Sequence, residues 1–199
     1  MPGRGATSGL LSGRASICWT SHRHRSGSCG RVRNERRRRA GWRSSSPSFT
    51  AQRDQIALGL EPVNRYETYL SNTIADTLAR LNAIGAANVT IHVDTYHMNI
   101  EEPGFRGPLE QAGGRLGCIH CSESDRGVPG QGNVHWDEVF QGLKAIDYRG
   151  PLVLESFAAI NPDLAGATCM WRPPASTSEQ LAREGVAFLR ERAAAVGLA

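Results

Sequence analysis

Three acids and one histidine stand at the ends of four short apolar runs. Glu61 closes IALGLE (56–61), Asp94 closes VTIHVD (89–94), His120 lies at the end of LGCIHC (116–121), and Glu155 at the end of PLVLES (151–156). Three carboxylates and a neutral imidazole make a hard, oxygen-rich, anionic donor set. Such a set suits Mn²⁺, Mg²⁺ or Co²⁺ better than a thiolate-loving ion. One polar residue after a strand is ordinary, because loops are polar. Four in succession, with His92 the only other acid or histidine inside the runs, point to a shared cation site.

The elements that must position these groups can be read from the same stretches. The runs are near-continuous in apolar residues, as in parallel strands covered on both faces. Helix-period segments lie between them. LSNTIADTLARLNAIG puts Leu70, Ile74, Leu78, Leu81 and Ile84 on one stripe and ends at Gly85, a candidate left-handed cap. WDEVFQGLKAI repeats the pattern through Trp136, Val139, Phe140, Leu143 and Ile146. A Ser176-x-x-Glu179 capping box opens the last helix. Alternating strands and helices define an α/β fold with right-handed crossovers. The four strand-end residues are 33, 26 and 35 positions apart. A (β/α)₈ barrel uses roughly 31 residues per unit and gathers its strand ends at one mouth. The expected fold is therefore α/β, a partial (β/α)₈ TIM barrel of about four βα units.

Longer motifs narrow the reading. LEPVNRYET, IHVDTYHMNIEE, GCIHCSESDRGVPGQGNVHWDEVF and LVLESF occur in order, followed by MWRP and LAREGVAFLR. From about residue 54 to 192 the chain closely resembles the D-tagatose 3-epimerase / D-psicose (D-allulose) 3-epimerase family. That family belongs to the sugar isomerase/epimerase superfamily with xylose-isomerase-like TIM barrels. The resemblance implies a divalent metal, usually Mn²⁺ with Co²⁺ or Mg²⁺ as alternatives, held by Glu61, Asp94, His120 and Glu155. It implies sugar contacts from Glu67, His97 and Arg126, and C3 epimerisation of a free ketohexose through an enediolate. The residue types agree with that chemistry. A cation polarises the carbonyl, and inversion at carbon needs a base on one face and an acid on the other. Glu61 and Glu155 are expected to fill those two roles. Glu101 and Glu102 are expected to be surface acids at a helix start, and His92 and His135 to be structural.

The motifs look like strands five to eight, so roughly 120 residues of barrel are expected upstream of them. A half barrel has two open sheet edges. Homo-oligomeric pairing edge to edge, or a separately encoded first half, would cover them.

The first fifty residues have a different composition. They hold eleven arginines, no lysine and a single acid, Glu35. The expected division is a disordered Arg/Ser/Gly-rich leader over 1–50 and the C-terminal half of a barrel over 51–199. The leader's composition also fits an organelle transit segment, or a phosphate-backbone contact through NERRRRAGWR. The preferred reading is a misread frame, since Lys144 is the chain's sole lysine. Residues 51–199 carry twelve basic and eighteen acidic side chains, a net charge of −6. That balance argues against a nucleic-acid surface and against an endonuclease-IV-like relative. The competing functions are an aldose–ketose isomerase, and a non-catalytic fragment whose leader binds nucleic acid. Five cysteines without a framework spacing indicate a reducing, cytoplasmic compartment, with Cys118 and Cys121 as buried, inert thiols. No run reaches the roughly eighteen apolar residues of a membrane span.

Overall fold

The computed structural model describes residues 16–19, 56–158, 165–166, 170–174 and 177–198. Five parallel strands lie side by side in chain order: β1 (Ser16–Trp19), β2 (Ala57–Leu60), β3 (Val89–Asp94), β4 (Leu116–Cys121) and β5 (Leu152–Leu154). The helices are α1 (Ile74–Ile84), α2 (Thr95–Glu101), α3 (Arg106–Ala112), α4 (Trp136–Ala145) and α5 (Ser178–Val196). The expected alternation is therefore present, and all four apolar runs form strands. Among the described residues, no helix is long and apolar enough to cross a membrane.

Local sequence explains where the helices begin and end. Thr73 caps α1 by accepting from the Asp76 amide, and Gly85 ends it at φ 66, donating to the Leu81 carbonyl. Because α1 starts only at Ile74, Leu70 sits in the preceding loop and is largely exposed, as is Ile84 at the far end. The buried stripe is thus narrower than the apolar pattern: Ile74 and Leu81, with Leu78 partly covered. The expected cap Ser176 lies outside the described residues. Thr177, one residue later, caps α5 by accepting from the Gln180 amide at 3.0 Å.

The strand β1 was not expected. Ser16–Trp19 falls within the Arg-rich leader, where no regular element was read. It pairs with β2 from Ser16 opposite Ala57 to Trp19 opposite Leu60. Backbone N–H and C=O groups need partners, and β1 supplies them along the β2 edge that was expected to be open. The remainder of the expected leader lies outside the described residues.

Side-chain alternation divides β3 and β4 into two unlike faces. Ile91, Val93, Ile119 and Cys121 join the core with Leu109, Val139, Phe140 and Leu143. Burying each such aliphatic or aromatic side chain contributes about 1.5–3 kcal/mol. His92, Asp94, Cys118 and His120 alternate with them and occupy the opposite face. This second face is covered too, with His92 and Asp94 buried on it, but its side chains are polar. A register shift makes the division work. Ile91 pairs with Leu116 but His92 with Cys118, so Gly117 is the extra residue of a bulge. The bulge lets Leu116 enter the core while Cys118 and His120 turn to the other side.

Gly59 on β2 faces this second surface, and an added methyl there would meet His92 Cβ at 2.8 Å. Both neighbours are held by the sheet, so little can give. Gly59→Ala is expected to lower stability by about 1–3 kcal/mol. A urea midpoint unchanged from wild type would refute that close packing.

Candidate active site

The C-terminal ends of β2 to β5 bring the four expected donors to one place. Asp94 and His120 are directly paired across β3 and β4. Single donor atoms of Glu61, Asp94 and His120 all lie within 4.8 Å of one another. Glu155 follows β5, with its Oε2 3.1 Å from His120 Nδ1. Asp94 also begins α2: its Oδ1 accepts from the Tyr96 amide at 2.8 Å, which turns Oδ2 toward the other donors. A strand passing directly into a helix leaves its last carboxylate fixed from one side and available on the other.

Arg126 lies among the carboxylates. Its Nη1 donates to Asp94 Oδ2 at 2.5 Å, to Glu155 Oε2 at 2.7 Å and to Ser122 Oγ at 3.0 Å. The guanidinium also lies over the Tyr96 ring, 4.1 Å from its centroid. Arg126 adopts φ 63, a left-handed conformation unfavourable for a long side chain. Its amide donates to the Glu123 carbonyl, and its carbonyl accepts from Phe157, which holds that conformation.

Glu123, missed in the sequence reading, organises the loop around Arg126. It is fully buried, and accepts from the Ser124 and Val134 amides on Oε1. Oε2 accepts from the Gly130 amide and Trp136 Nε1. These donors outweigh the effect of burial and hold its carboxyl below the usual range. Within SESDRGVPGQGNVHW it is one of two acids, with Asp125, and acids in a loop read as solvated.

His97, the implied sugar contact, belongs to the first turns of α2 and is buried. Asn64 determines which of its nitrogens carries hydrogen. The Asn64 amide donates to His97 Nδ1 at 3.3 Å, and Asn64 Nδ2 approaches the same nitrogen at 2.9 Å. Asn64 Oδ1 accepts from the Tyr66 amide, which fixes the orientation of the carboxamide, and Nδ2 also donates to Glu67 Oε1 at 2.8 Å. Donors face both ring nitrogens, two at Nδ1 and Arg126 Nη2 at 3.4 Å from Nε2; the closer pair makes Nδ1 the acceptor and leaves a neutral ring's proton on Nε2. Nε2 also lies 3.9 Å from Glu61 Oε1. Asn64 too was missed, since a single asparagine carries no periodic signal.

Glu101 and Glu102 are not at a helix start. They close α2. Glu101 takes two bonds from the Arg65 guanidinium, both 2.9 Å, and Glu102 accepts from the Ile74 amide at 2.7 Å. Together they clamp the 62–73 loop beside the mouth and leave the acid cluster to the other residues. His135 is an exposed residue preceding α4. Cys121 is fully buried, with its thiol pushed up by burial, whereas Cys118 is only half-buried.

Crowding of like charges dominates the electrostatics. Burial, reinforced by Asp94 and Glu155, pushes the Glu61 carboxyl up to about 8. Burial likewise raises Asp94 to about 6, against the pull of Arg126. Burial also opposes ionisation of Glu155, but His120, Asp94 and Arg126 outweigh it and hold Glu155 well below the carboxylate range. Glu61 Oε2 is buried with no hydrogen-bond partner among the described residues. Excess buried negative charge and an oxygen lacking a donor both fit a hard divalent cation.

A parallel sheet that gathers carboxylates and an imidazole at its strand ends has the design of a TIM-barrel enzyme mouth. The chain belongs to the xylose isomerase-like TIM barrel family, which it matches over residues 21–192. It is 45% identical over 139 residues to the L-ribulose 3-epimerase of Methylomonas sp. (strain DH-1), covering 69% of this chain and 49% of that protein. It is 41% identical over 143 residues to the ketose 3-epimerase of Arthrobacter globiformis, covering 71% of this chain and 50% of the relative. Among solved structures, the D-allulose 3-epimerase from Methylomonas sp. in complex with D-allulose superposes with a TM-score of 0.70 at 43% identity. That comparison covers 73% of this chain and 51% of the other. The chain thus spans about half the length of the curated relatives it matches.

Proposed function

We propose that this chain carries the metal- and base-bearing part of a ketose 3-epimerase. The observation that supports the reading is the meeting of Glu61, Asp94, His120 and Glu155 where four strands end. In this proposal these four hold one divalent cation, Mn²⁺ or else Co²⁺ or Mg²⁺. When bound, the cation supplies Lewis-acid polarisation of the ketose carbonyl. Glu61 and Glu155, from the first and last of these strand ends, flank the sugar. One takes the C3 proton and leaves an enediolate, and the other protonates C3 on the opposite face. His97 offers its Nε2 hydrogen to a sugar oxygen, Arg126 offers its guanidinium, and Glu67 accepts from a hydroxyl.

Two measurements test the proposal separately. The chelator-treated chain should bind one Mn²⁺, and saturation at 100 times the Kd should add about 2.7 kcal/mol of stability. Asp94→Asn should remove that stabilisation. With the metal restored, D-fructose should be converted to D-psicose with solvent hydrogen entering at C3. Appearance of an aldose instead would favour the isomerase alternative.

Asn64→Ala should leave metal binding unchanged while releasing the His97 ring. Apparent sugar affinity is then expected to fall about tenfold, the lower range for loss of a supporting hydrogen bond. A KM equal to that of wild type would show that Asn64 does not set the imidazole.

A further inference from the structure

We propose that His92, Cys118 and His120 form a second cation site, of thiolate–imidazole type, on the face of β3 and β4 shared with the acid cluster. The sheet itself assembles it. His92 and Cys118 are paired across the two strands, and His120 lies two residues beyond Cys118, so all three project from one face. One ligand atom from each lies within 4.8 Å of the others. The two imidazoles meet edge to face, with ring centroids 4.0 Å apart at 80°. Two neighbouring glycines shape the site. Gly59 leaves room for the His92 ring, and the bulge at Gly117 turns Cys118 to this side of the sheet.

The donor set differs in kind from the mouth. One sulfur and two nitrogens suit Zn²⁺ or Co²⁺, with a water or solute oxygen completing a tetrahedron. Ligand atoms about 2.0–2.3 Å from zinc lie roughly 3.5 Å apart, so the side chains must close by about 1 Å. Binding replaces the Cys118 sulfur–hydrogen bond with a sulfur–metal bond and releases the proton to solvent. His120 belongs to both triads. A neutral imidazole has a single lone-pair nitrogen, so one ring serves one cation at a time. A soft ion at Cys118 therefore withdraws His120 from the acid-rich centre. Only this competition rests on the proposed ketose site.

The test uses the full chain stripped of metal and titrated with Co²⁺. A sulfur-to-cobalt charge-transfer band in the near ultraviolet should saturate at one ion per chain. Cys118→Ser should abolish it, while Cys121→Ser and Glu61→Gln should retain it. Retention in Glu61→Gln separates this site from the ketose site, whose Mn²⁺ binding that variant should lose. A wild-type measurement guards against a misfolded variant. Zn²⁺ should slow alkylation of Cys118 more than tenfold, read by mass spectrometry, and leave Cys121 unaffected. A band that survives Cys118→Ser, or protection spread evenly over all five cysteines, would overturn the site.

Discussion

Glu155→Gln is expected to lower ketose turnover by about 10²- to 10⁴-fold, the usual contribution of a positioned acid or base. The substitution keeps the shape of the side chain and an oxygen that can still accept from Arg126 Nη1, now at 2.7 Å. In the proposed mechanism it removes the ability to carry a proton to or from C3. Uptake of solvent deuterium at C3 should fall in proportion to turnover, because both pass through the same proton transfer. Mn²⁺ binding should weaken but persist, since Glu61, Asp94 and His120 still converge. Turnover without deuterium uptake in the wild-type chain would eliminate the two-glutamate mechanism. A Gln variant as active as wild type would remove Glu155 from the chemistry.

The second large effect concerns stability and pH at Glu123. Glu123→Ala strips four donors of their acceptor at once: the Val134 amide and the Trp136 indole in buried bonds, and the Ser124 and Gly130 amides in part-buried ones. A buried donor left unsatisfied costs about 1–3 kcal/mol. Some will find water, so a net loss on the order of 3 kcal/mol or more is expected. Glu123→Gln keeps one acceptor oxygen and sets an NH₂ against two of the donors, for an expected loss of about 2 kcal/mol. The folded-state pKa of Glu123 is depressed. Its contribution is therefore complete above the unfolded value of about 4.3 and is lost as pH falls through the folded value. Wild-type stability should thus drop more steeply below about pH 4.3 than that of Glu123→Gln. Parallel stability–pH curves would show that the carboxylate is not held ionised by this loop. Turnover should also fall in both variants, because the same loop holds Arg126 in its left-handed conformation.

Much of this was legible in the sequence because a βα unit has a nearly constant length. Spacings of 33, 26 and 35 residues mark successive parallel strands, and donors at the ends of such strands share one edge of the sheet, so they meet. That physical regularity located Glu61, Asp94, His120 and Glu155 without coordinates, together with four of the strands. Periodicity likewise located α1 and α4, since an apolar stripe must find a core, and a capping-box signal marked α5. The motif resemblance added His97, Arg126 and Glu67, each of which lies at or beside the cluster.

The rest depended on contacts between distant segments, which no local pattern encodes. Asn64 sets the His97 tautomer across 33 residues, and β1 pairs with β2 across some forty. The bulge at Gly117 decides which side of the sheet Cys118 and His120 face, although plain alternation along LGCIHC would have put Leu116 with them. Glu123 matters through four donors that only a folded loop brings together. Spacing and residue type determined which groups would meet. The fold decided which atom each presents, because hydrogen-bond direction and strand register are settled only when the neighbouring segments close.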